Sequence, residues 1–139
     1  MRSLKDRIAK AGLTERFAWL GEVDFSQLPV LYGAMSIVAS VSRVEGFGLT
    51  CLEAMSSGAP VIASRAGGFD LIVRDGIDGY LVECGSSKEI HDRFIRMVQD
   101  PCQLEAMGKS ARERVESAFT IQREAGDLVR AYREIAGNG

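Results

Sequence analysis

Residues 37–55 read IVASVSRVEGFGLTCLEAM, and this stretch decides the fold. The apolar run Ile37–Val41 predicts a buried strand, and a helix is predicted after two glycines, ending near Ser57. Pro60–Ser64 and Tyr80–Glu83 predict two more strands. All three runs are continuously apolar, as parallel strands covered on both faces require. The sequence therefore predicts an α/β domain in which helices cover both faces of a parallel sheet.

The flanking regions add one strand and several helices. Phe17–Leu20 is a short apolar run that predicts a strand before a helix at Ser26–Ala34. Helix starts are predicted at two capping-box patterns, at an Asp-Pro cap and at a threonine. These are Ser3 with Asp6, Ser86 with Glu89, Asp100 with Pro101, and Thr120. The last helix is expected to carry Leu128, Val129, Tyr132 and Ile135 on its apolar side. We expect one domain over residues 1–139, with carboxyl-terminal helices at about 101–136.

Composition excludes several classes of protein. A chain of 139 residues with 46% apolar and 26% charged residues fits one globular domain. A net charge of −2 and no basic block argue against a nucleic-acid platform. No apolar run reaches the roughly 20 residues of a transmembrane helix. Three cysteines without a CxxC pair indicate neither disulfides nor a zinc site, so we expect a cytoplasmic protein with reduced thiols and no metal.

The turn between the strand and the helix carries the chemistry. In open parallel sheets, ligands bind beyond the carboxyl ends of the strands. Gly46 and Gly48 leave room for a ligand to approach the backbone N–H groups at the helix start, where the helix dipole favours a phosphate or diphosphate. Glu45 and Glu53 could accept hydrogen bonds from hydroxyls on two sugar rings that flank a diphosphate. That ligand is a nucleotide sugar.

Two other interpretations stay open on the residues alone. The turn lacks the third glycine and downstream acid of a dinucleotide fingerprint and the Gly-Lys-Ser/Thr of a P-loop. Its glycine spacing is equally compatible with a plain strand–helix connection. The two glutamates could equally be a solvated charge pair.

The wider sequence resembles retaining glycosyltransferase family four, which has the GT-B fold. Residues 45–55, EGFGLTCLEAM, resemble the family's E-x7-E signature. Residues 17–23 and 28–34 resemble the strand and helix upstream of that signature. Residues 58–64, Gly67-Gly68 and residues 73–82 resemble the segments downstream. The resemblance covers nearly the whole chain and implies the Rossmann-like C-terminal half of a GT-B fold.

The resemblance also implies roles for individual residues. Glu45 would be the catalytic-site residue that hydrogen-bonds the donor sugar, and Glu53 would hold the ribose hydroxyls. The remaining donor-binding residues would cradle the sugar and diphosphate with their backbone and with the Thr50 hydroxyl. These residues are Gly46, Phe47, Gly48, Leu49 and Thr50. Family members transfer the sugar with retention and usually need no metal, and we expect no cofactor. The two glutamates do not suit the hydrolase scheme for retention, so no nucleophile is assigned.

One departure from the family pattern lies after Gly67-Gly68. The family usually has a glutamate three residues beyond the second glycine, where this chain has Leu71. Asp70 is a candidate to compensate, although it would point elsewhere. Arg43 and Arg65 follow strands, where they could reach phosphate, but solvated arginines are the commoner case. Trp19 is expected to pack beside its strand rather than stack on a base.

The second departure concerns segments that the family has before the position that corresponds to Met1 of this chain. Relative to that pattern the domain is incomplete: its first two strands, an arginine and a lysine near the diphosphate, and the amino-terminal acceptor domain are not in this sequence. The expected consequence is a rearranged sheet, completion of the sheet by another chain, or poor stability. The alternative is that the sequence is an excerpt of a longer protein. An open edge would favour partner strands, including those of a homo-oligomer. The chain alone is expected to be inactive.

The function implied is transfer of a hexosyl group from a UDP- or GDP-sugar to a glycan or lipid-linked acceptor, in polysaccharide or lipopolysaccharide synthesis. Residues 119–125, FTIQREA, resemble lipopolysaccharide-core mannosyltransferases and suggest GDP-mannose as donor. The alternative is a non-catalytic nucleotide-binding or assembly module.

Overall fold

The structure, a computed structural model, describes residues 3–137 and contains a three-stranded parallel sheet. Its strands β1 (Val38–Ser40), β2 (Val61–Ser64) and β3 (Gly79–Val82) lie in that order. Val38 pairs with Val61, and Val61 pairs with Gly79. All three strands agree with predicted strands within one residue at each end. The α/β parallel fold predicted from the sequence is confirmed.

Seven α-helices surround the sheet in the part of the chain that the structure describes. Two short 3₁₀ turns, Thr14–Arg16 and Phe25–Gln27, precede α2. The helices are α1 (Leu4–Lys10), α2 (Leu28–Gly33), α3 (Leu49–Ser56), α4 (Phe69–Ile72), α5 (Ser87–Gln99), α6 (Pro101–Ala118) and α7 (Ile121–Ala136). The short helix α4 was not predicted. Within residues 3–137, none of these helices has the length and apolarity to cross a bilayer.

Side-chain caps explain where four of the helices begin. Ser3 and Asp6 form the predicted reciprocal capping box of α1. The Asp100 carboxylate accepts the Gln103 N–H at 2.9 Å, and Thr120 Oγ1 accepts the Arg123 N–H at 3.3 Å. At α5, only half of the predicted box forms. Ser86 Oγ accepts the Glu89 N–H, but the Glu89 carboxylate accepts from the Glu83 N–H instead.

The buried core lies on both faces of the sheet. Neighbouring residues of β2 point to opposite faces, so Val61 belongs to one apolar cluster and Ile62 to the other. The first cluster includes Met55 of α3 and Phe69 of α4, both fully buried. The second lies under α5 and α6 and includes Tyr80, Val82, Met97 and Met107. Burial on both faces explains why the strand sequences are continuously apolar.

The strand predicted at Phe17–Leu20 is absent, and that prediction was wrong. These residues lie between the turn ending at Arg16 and the turn beginning at Phe25 without pairing to any described strand. Trp19 is 50% exposed and stacks on Phe17, with a ring centroid distance of 6.3 Å. An extended segment becomes a strand only when a neighbour takes up its backbone hydrogen bonds, and no described strand pairs with this one. The edge of β1 opposite β2 likewise has no partner strand among residues 3–137.

The last helix is present as predicted, but its apolar side is not buried. Leu128, Val129, Tyr132 and Ile135 remain between 49% and 75% exposed. No described element buries this face. The sequence pattern correctly predicted an amphipathic helix, but the pattern carries no information on what covers the apolar side.

A buried carboxylate fixes the turn before β3. Asp78 is fully buried and accepts hydrogen bonds from Arg74 Nε at 2.8 Å and from Ser110 Oγ at 3.0 Å. Hydrogen bonding to this carboxylate raises the pKa of Arg74. The buried Asp78 carboxylate thus has the hydrogen-bond partners that burial requires.

Trimming one methyl group from the sheet core should destabilise the chain measurably. Ile62 is fully buried in β2, so Ile62→Val is expected to lower the free energy of unfolding by about 0.5–1.5 kcal/mol. Ile121 is 81% exposed, and the matched change Ile121→Val should cost less than about 0.5 kcal/mol. Urea unfolding of the two variants measures both values. Equal effects would contradict the burial of Ile62 in the core between the sheet and its covering helices.

Candidate functional site

The loop from Val41 to Gly48, here called the motif loop, leaves the carboxyl end of β1 and leads into α3. Gly48 is the N-cap of α3 and has a left-handed backbone with φ of 101°. A Cβ at Gly48 would lie 2.8 Å from Cδ1 of the buried Phe69. Both the backbone conformation and the lack of space therefore require glycine at this position.

A second pair of glycines packs directly on the motif loop. A Cβ at Gly67 would lie 1.9 Å from the carbonyl oxygen of Glu45, and one at Gly68 would lie 2.0 Å from that of Phe47. These distances leave no space for any side chain at either position. The Gly67-Gly68 turn after β2 therefore fixes the backbone of residues 45–47 by direct contact.

Hydrogen bonds also join the ends of the three strands. Ser64 Oγ at the end of β2 donates to the carbonyl oxygen of Ser42 after β1. The Cys84 thiol after β3 donates to the carbonyl oxygen of Arg65 at 3.3 Å. The segments that follow β1, β2 and β3 thus form one connected edge, which is where parallel α/β sheets bind ligands.

The start of α3 presents backbone donors without a protein cap. The first intrahelical bond of the turn runs from the Cys51 N–H to the Gly48 carbonyl oxygen at 3.0 Å, and no side chain caps the helix. The N–H groups of Leu49 and Thr50 precede this bond. Leu49, Thr50 and Phe47 are exposed at the surface. Such a helix start is suited to binding an anion.

The two glutamates of the motif lie on either side of this helix start along the chain. Glu45 lies in the motif loop and Glu53 one turn into α3, and both are partly exposed. Glu53 Oε2 accepts a hydrogen bond from the Tyr32 hydroxyl of α2 at 3.3 Å. The structure therefore brings residues 45–50 together as one loop and helix start, while Glu53 faces α2.

Arg65 is surrounded by carboxylates. Its guanidinium lies 3.4 Å from Asp70, 3.2 Å from Asp75 and 3.6 Å from Glu83. Asp70 therefore faces Arg65, and Leu71 is 71% exposed in the place of the family's glutamate. With three acidic neighbours, Arg65 is poorly suited to bind phosphate. Arg43 is exposed and makes no ion pair within the part of the chain that the structure describes.

Cys51 lies inside the motif but is not a reactive group. Its side chain is fully buried, and burial raises the pKa of the Cys51 thiol to about 12. The thiolate is the nucleophilic form of cysteine, so this residue is inert at neutral pH. The buried structural thiol expected from the sequence is confirmed. Among residues 3–137, no three His, Cys, Asp or Glu side chains group so that they could hold a metal ion.

The parallel sheet with helices on both faces and a glycine-lined edge defines the class as a Rossmann-like α/β protein. Comparison with known proteins identifies the family. The model of the family "Glycosyl transferases group 1" matches residues 2–114, so the chain belongs to this family. The chain is 34% identical over 134 residues to the lipopolysaccharide core biosynthesis mannosyltransferase LpsB of Rhizobium meliloti (strain 1021). That match covers 95% of this chain and 38% of LpsB. The chain thus spans about two fifths of the length of this curated relative.

Solved structures of glycosyltransferases superpose closely on the chain. Sucrose-phosphate synthase from Thermosynechococcus elongatus matches with a TM-score of 0.87 and 30% identity, over 98% of this chain and 34% of that one. The C-terminal domain of LpcC, a glycosyl transferase group 1 family protein from Francisella tularensis, matches with a TM-score of 0.79 and 34% identity, over 85% and 61% of the two chains. Anabaena HepE in complex with UDP and glucose matches with a TM-score of 0.85 and 27% identity, over 94% and 35%. The fold is the Rossmann-like C-terminal half of a GT-B fold.

Two features of the site were not found by sequence reasoning. Gly67-Gly68 matched the family pattern, but its contact with the motif loop has no local sequence signal. Tyr32 lies on the apolar side of the helix predicted at Ser26–Ala34, but the sequence does not show which group its hydroxyl bonds. A tyrosine at a position expected to be buried was the only signal available, because a buried tyrosine hydroxyl usually finds a hydrogen-bond partner.

Replacement of Gly67 by alanine should cost more than backbone strain alone. Gly12 has a similar φ, 67° against 54° for Gly67, but a Cβ at Gly12 would meet no atom within 4 Å. Gly12→Ala is therefore expected to cost about 1–2 kcal/mol from the left-handed backbone. Gly67→Ala should cost a further amount of about 1–3 kcal/mol, because its Cβ overlaps the Glu45 carbonyl. Urea unfolding measures both changes, and equal losses would refute the proposed contact.

Proposed function

We propose that this chain is the donor-binding unit, over residues 1–139, of a retaining glycosyltransferase, and that it binds a UDP- or GDP-sugar at the motif loop and the start of α3. The observation that carries the proposal is the uncapped start of α3, which is fixed beside Glu45 by Gly67-Gly68. Membership of the glycosyl transferases group 1 family supports it.

In this proposal the diphosphate binds at the amino-terminal end of α3. The N–H groups of Leu49 and Thr50 donate hydrogen bonds to it, and the exposed Thr50 hydroxyl adds a further donor. The helix dipole favours the negative charge that develops on the leaving nucleoside diphosphate as the sugar is transferred. This form of stabilisation needs no metal ion at the diphosphate.

The two glutamates recognise the groups on either side of the diphosphate. Glu45 accepts hydrogen bonds from hydroxyls of the donor sugar, and Glu53 accepts them from the ribose. The likeness of this chain to HepE, which was crystallised with UDP and glucose, supports a ligand of this kind. Neither glutamate acts as a covalent nucleophile in this proposal.

The group transferred is a hexosyl unit, and the acceptor is a glycan or lipid-linked glycan of polysaccharide or lipopolysaccharide synthesis. Similarity to the mannosyltransferase LpsB supports a mannosyl donor. In this proposal the acceptor binds to another domain, so donor binding is the activity to measure first. The described cysteines form no disulfide, as is typical of cytoplasmic proteins, and we place the activity in the cytoplasm.

Replacement of the two glutamates should affect different ligands. Glu45→Ala is expected to weaken binding of UDP- or GDP-sugar but not of UDP or GDP, because its partners are on the sugar. Glu53→Ala should weaken the binding of all four, because its partners are on the ribose. Loss of a hydrogen bond to a charged group costs about 1.5–3 kcal/mol, or roughly ten- to a hundredfold in Kd. Isothermal titration calorimetry on the folded chain measures these affinities.

Glu105→Ala is the matched control for this experiment. Glu105 is exposed on α6, makes no ion pair within residues 3–137, and its removal changes the net charge by the same amount. The Glu105→Ala variant should bind the nucleotides and the nucleotide sugars with the same affinities as the parent chain. A folded parent chain that binds neither nucleotide sugar would refute the proposal, and so would unchanged affinities in both glutamate variants.

A further inference from the structure

Tyr32 of α2 holds the side chain of Glu53 of α3. The Tyr32 hydroxyl lies 3.3 Å from Glu53 Oε2 and donates its proton to the carboxylate. The tyrosine ring is partly buried against the core cluster formed by the sheet, α3 and α4. A phenol whose ring is packed in this way has a fixed hydroxyl position, so the hydrogen bond restricts where the glutamate can point.

The hydroxyl of Tyr32 remains a donor at all physiological pH values. Burial raises the pKa of Tyr32 above its usual value, and the negative charge of Glu53 raises it further. Ionisation of the phenol would place two negative charges side by side, which is unfavourable. The carboxylate therefore receives this hydrogen bond throughout the neutral range.

No other described side chain performs this task. Within residues 3–137, Tyr32 is the one side chain that donates a hydrogen bond to the Glu53 carboxylate, since Ser56 and Ser57 donate to the backbone oxygen of Glu53. A pocket of about 100 Å³ borders the pair. Without the hydrogen bond, Glu53 has room to adopt other rotamers.

We propose that Tyr32 is a positioning residue for Glu53 in nucleotide binding. The Tyr32 hydroxyl donates to Oε2 of Glu53, so Oε1 can accept a hydrogen bond from a ribose hydroxyl. The inference rests on the proposed role of Glu53 and adds to it the residue that orders the carboxylate before the ligand arrives. Ordering a binding group in advance improves affinity because less freedom is lost on binding.

The test is a double-mutant cycle on the folded chain, with UDP and GDP as probes. Tyr32→Phe removes only the hydroxyl and is expected to raise the Kd about three- to tenfold. In a Glu53→Ala background the same change should have no further effect, because the residue that Tyr32 positions is gone. Tyr132→Phe is the matched control, since Tyr132 is 65% exposed on α7, and it should leave the Kd unchanged.

The outcomes separate the two proposals. If Glu53→Ala weakens binding and Tyr32→Phe does not, the positioning role is overturned and the nucleotide site stands. If Tyr32→Phe weakens binding equally in both backgrounds, Tyr32 acts on the ligand directly and the positioning role is again overturned. If the folded parent chain binds neither UDP nor GDP, or Glu53→Ala leaves the Kd unchanged, both proposals fail. Thermal unfolding of Tyr32→Phe confirms that a change in Kd does not come from a loss of folded protein.

Discussion

The backbone contact between Gly67-Gly68 and residues 45–47 is the constraint on which the candidate site depends. Two carbonyl oxygens of the motif loop occupy the space where side chains would lie at positions 67 and 68. Gly48, at the end of the motif loop, is restricted in the same way, because the buried ring of Phe69 fills the space where its side chain would lie. The strand ends are then joined by the hydrogen bonds of Ser64 and Cys84. Together these contacts give the start of α3 one position relative to the sheet, and its exposed N–H groups have a fixed direction.

At this edge the backbone dipoles of the start of α3 favour an anion, whereas Arg65 contributes little. Arg65 directly follows β2, and its three carboxylate neighbours offset its charge. Glu45 and Glu53 are placed before and after the helix start, where they suit hydroxyl groups rather than phosphate oxygens. A ligand with a central diphosphate and a sugar at each end matches this order of donors and acceptors. The proposed nucleotide sugar follows from that order.

Much of the fold could be predicted from the sequence because its strongest signals are local. The strands Val38–Ser40, Val61–Ser64 and Gly79–Val82 are continuous apolar runs, and α3 follows a glycine that must have a positive φ. The strand predicted at Phe17–Leu20 failed because an apolar run does not show whether a neighbouring strand exists. The exposure of the apolar side of α7 could not be predicted for the same reason. An amphipathic pattern predicts a helix but does not show which element packs against it. In the site, the motif residues were visible in the sequence. The partners of that motif at Gly67-Gly68 and Tyr32 were not, because those contacts join distant parts of the chain.

The central claim, that the start of α3 binds the diphosphate of a nucleotide, is tested most directly by NMR. Backbone amide shifts of the labelled chain would be followed while UDP or GDP is added. The account predicts that the largest shifts occur at Leu49 and Thr50, with smaller ones in residues 45–48 and at Gly67-Gly68. No shifts in a folded sample, or shifts confined to other regions such as the exposed side of α7, would contradict it.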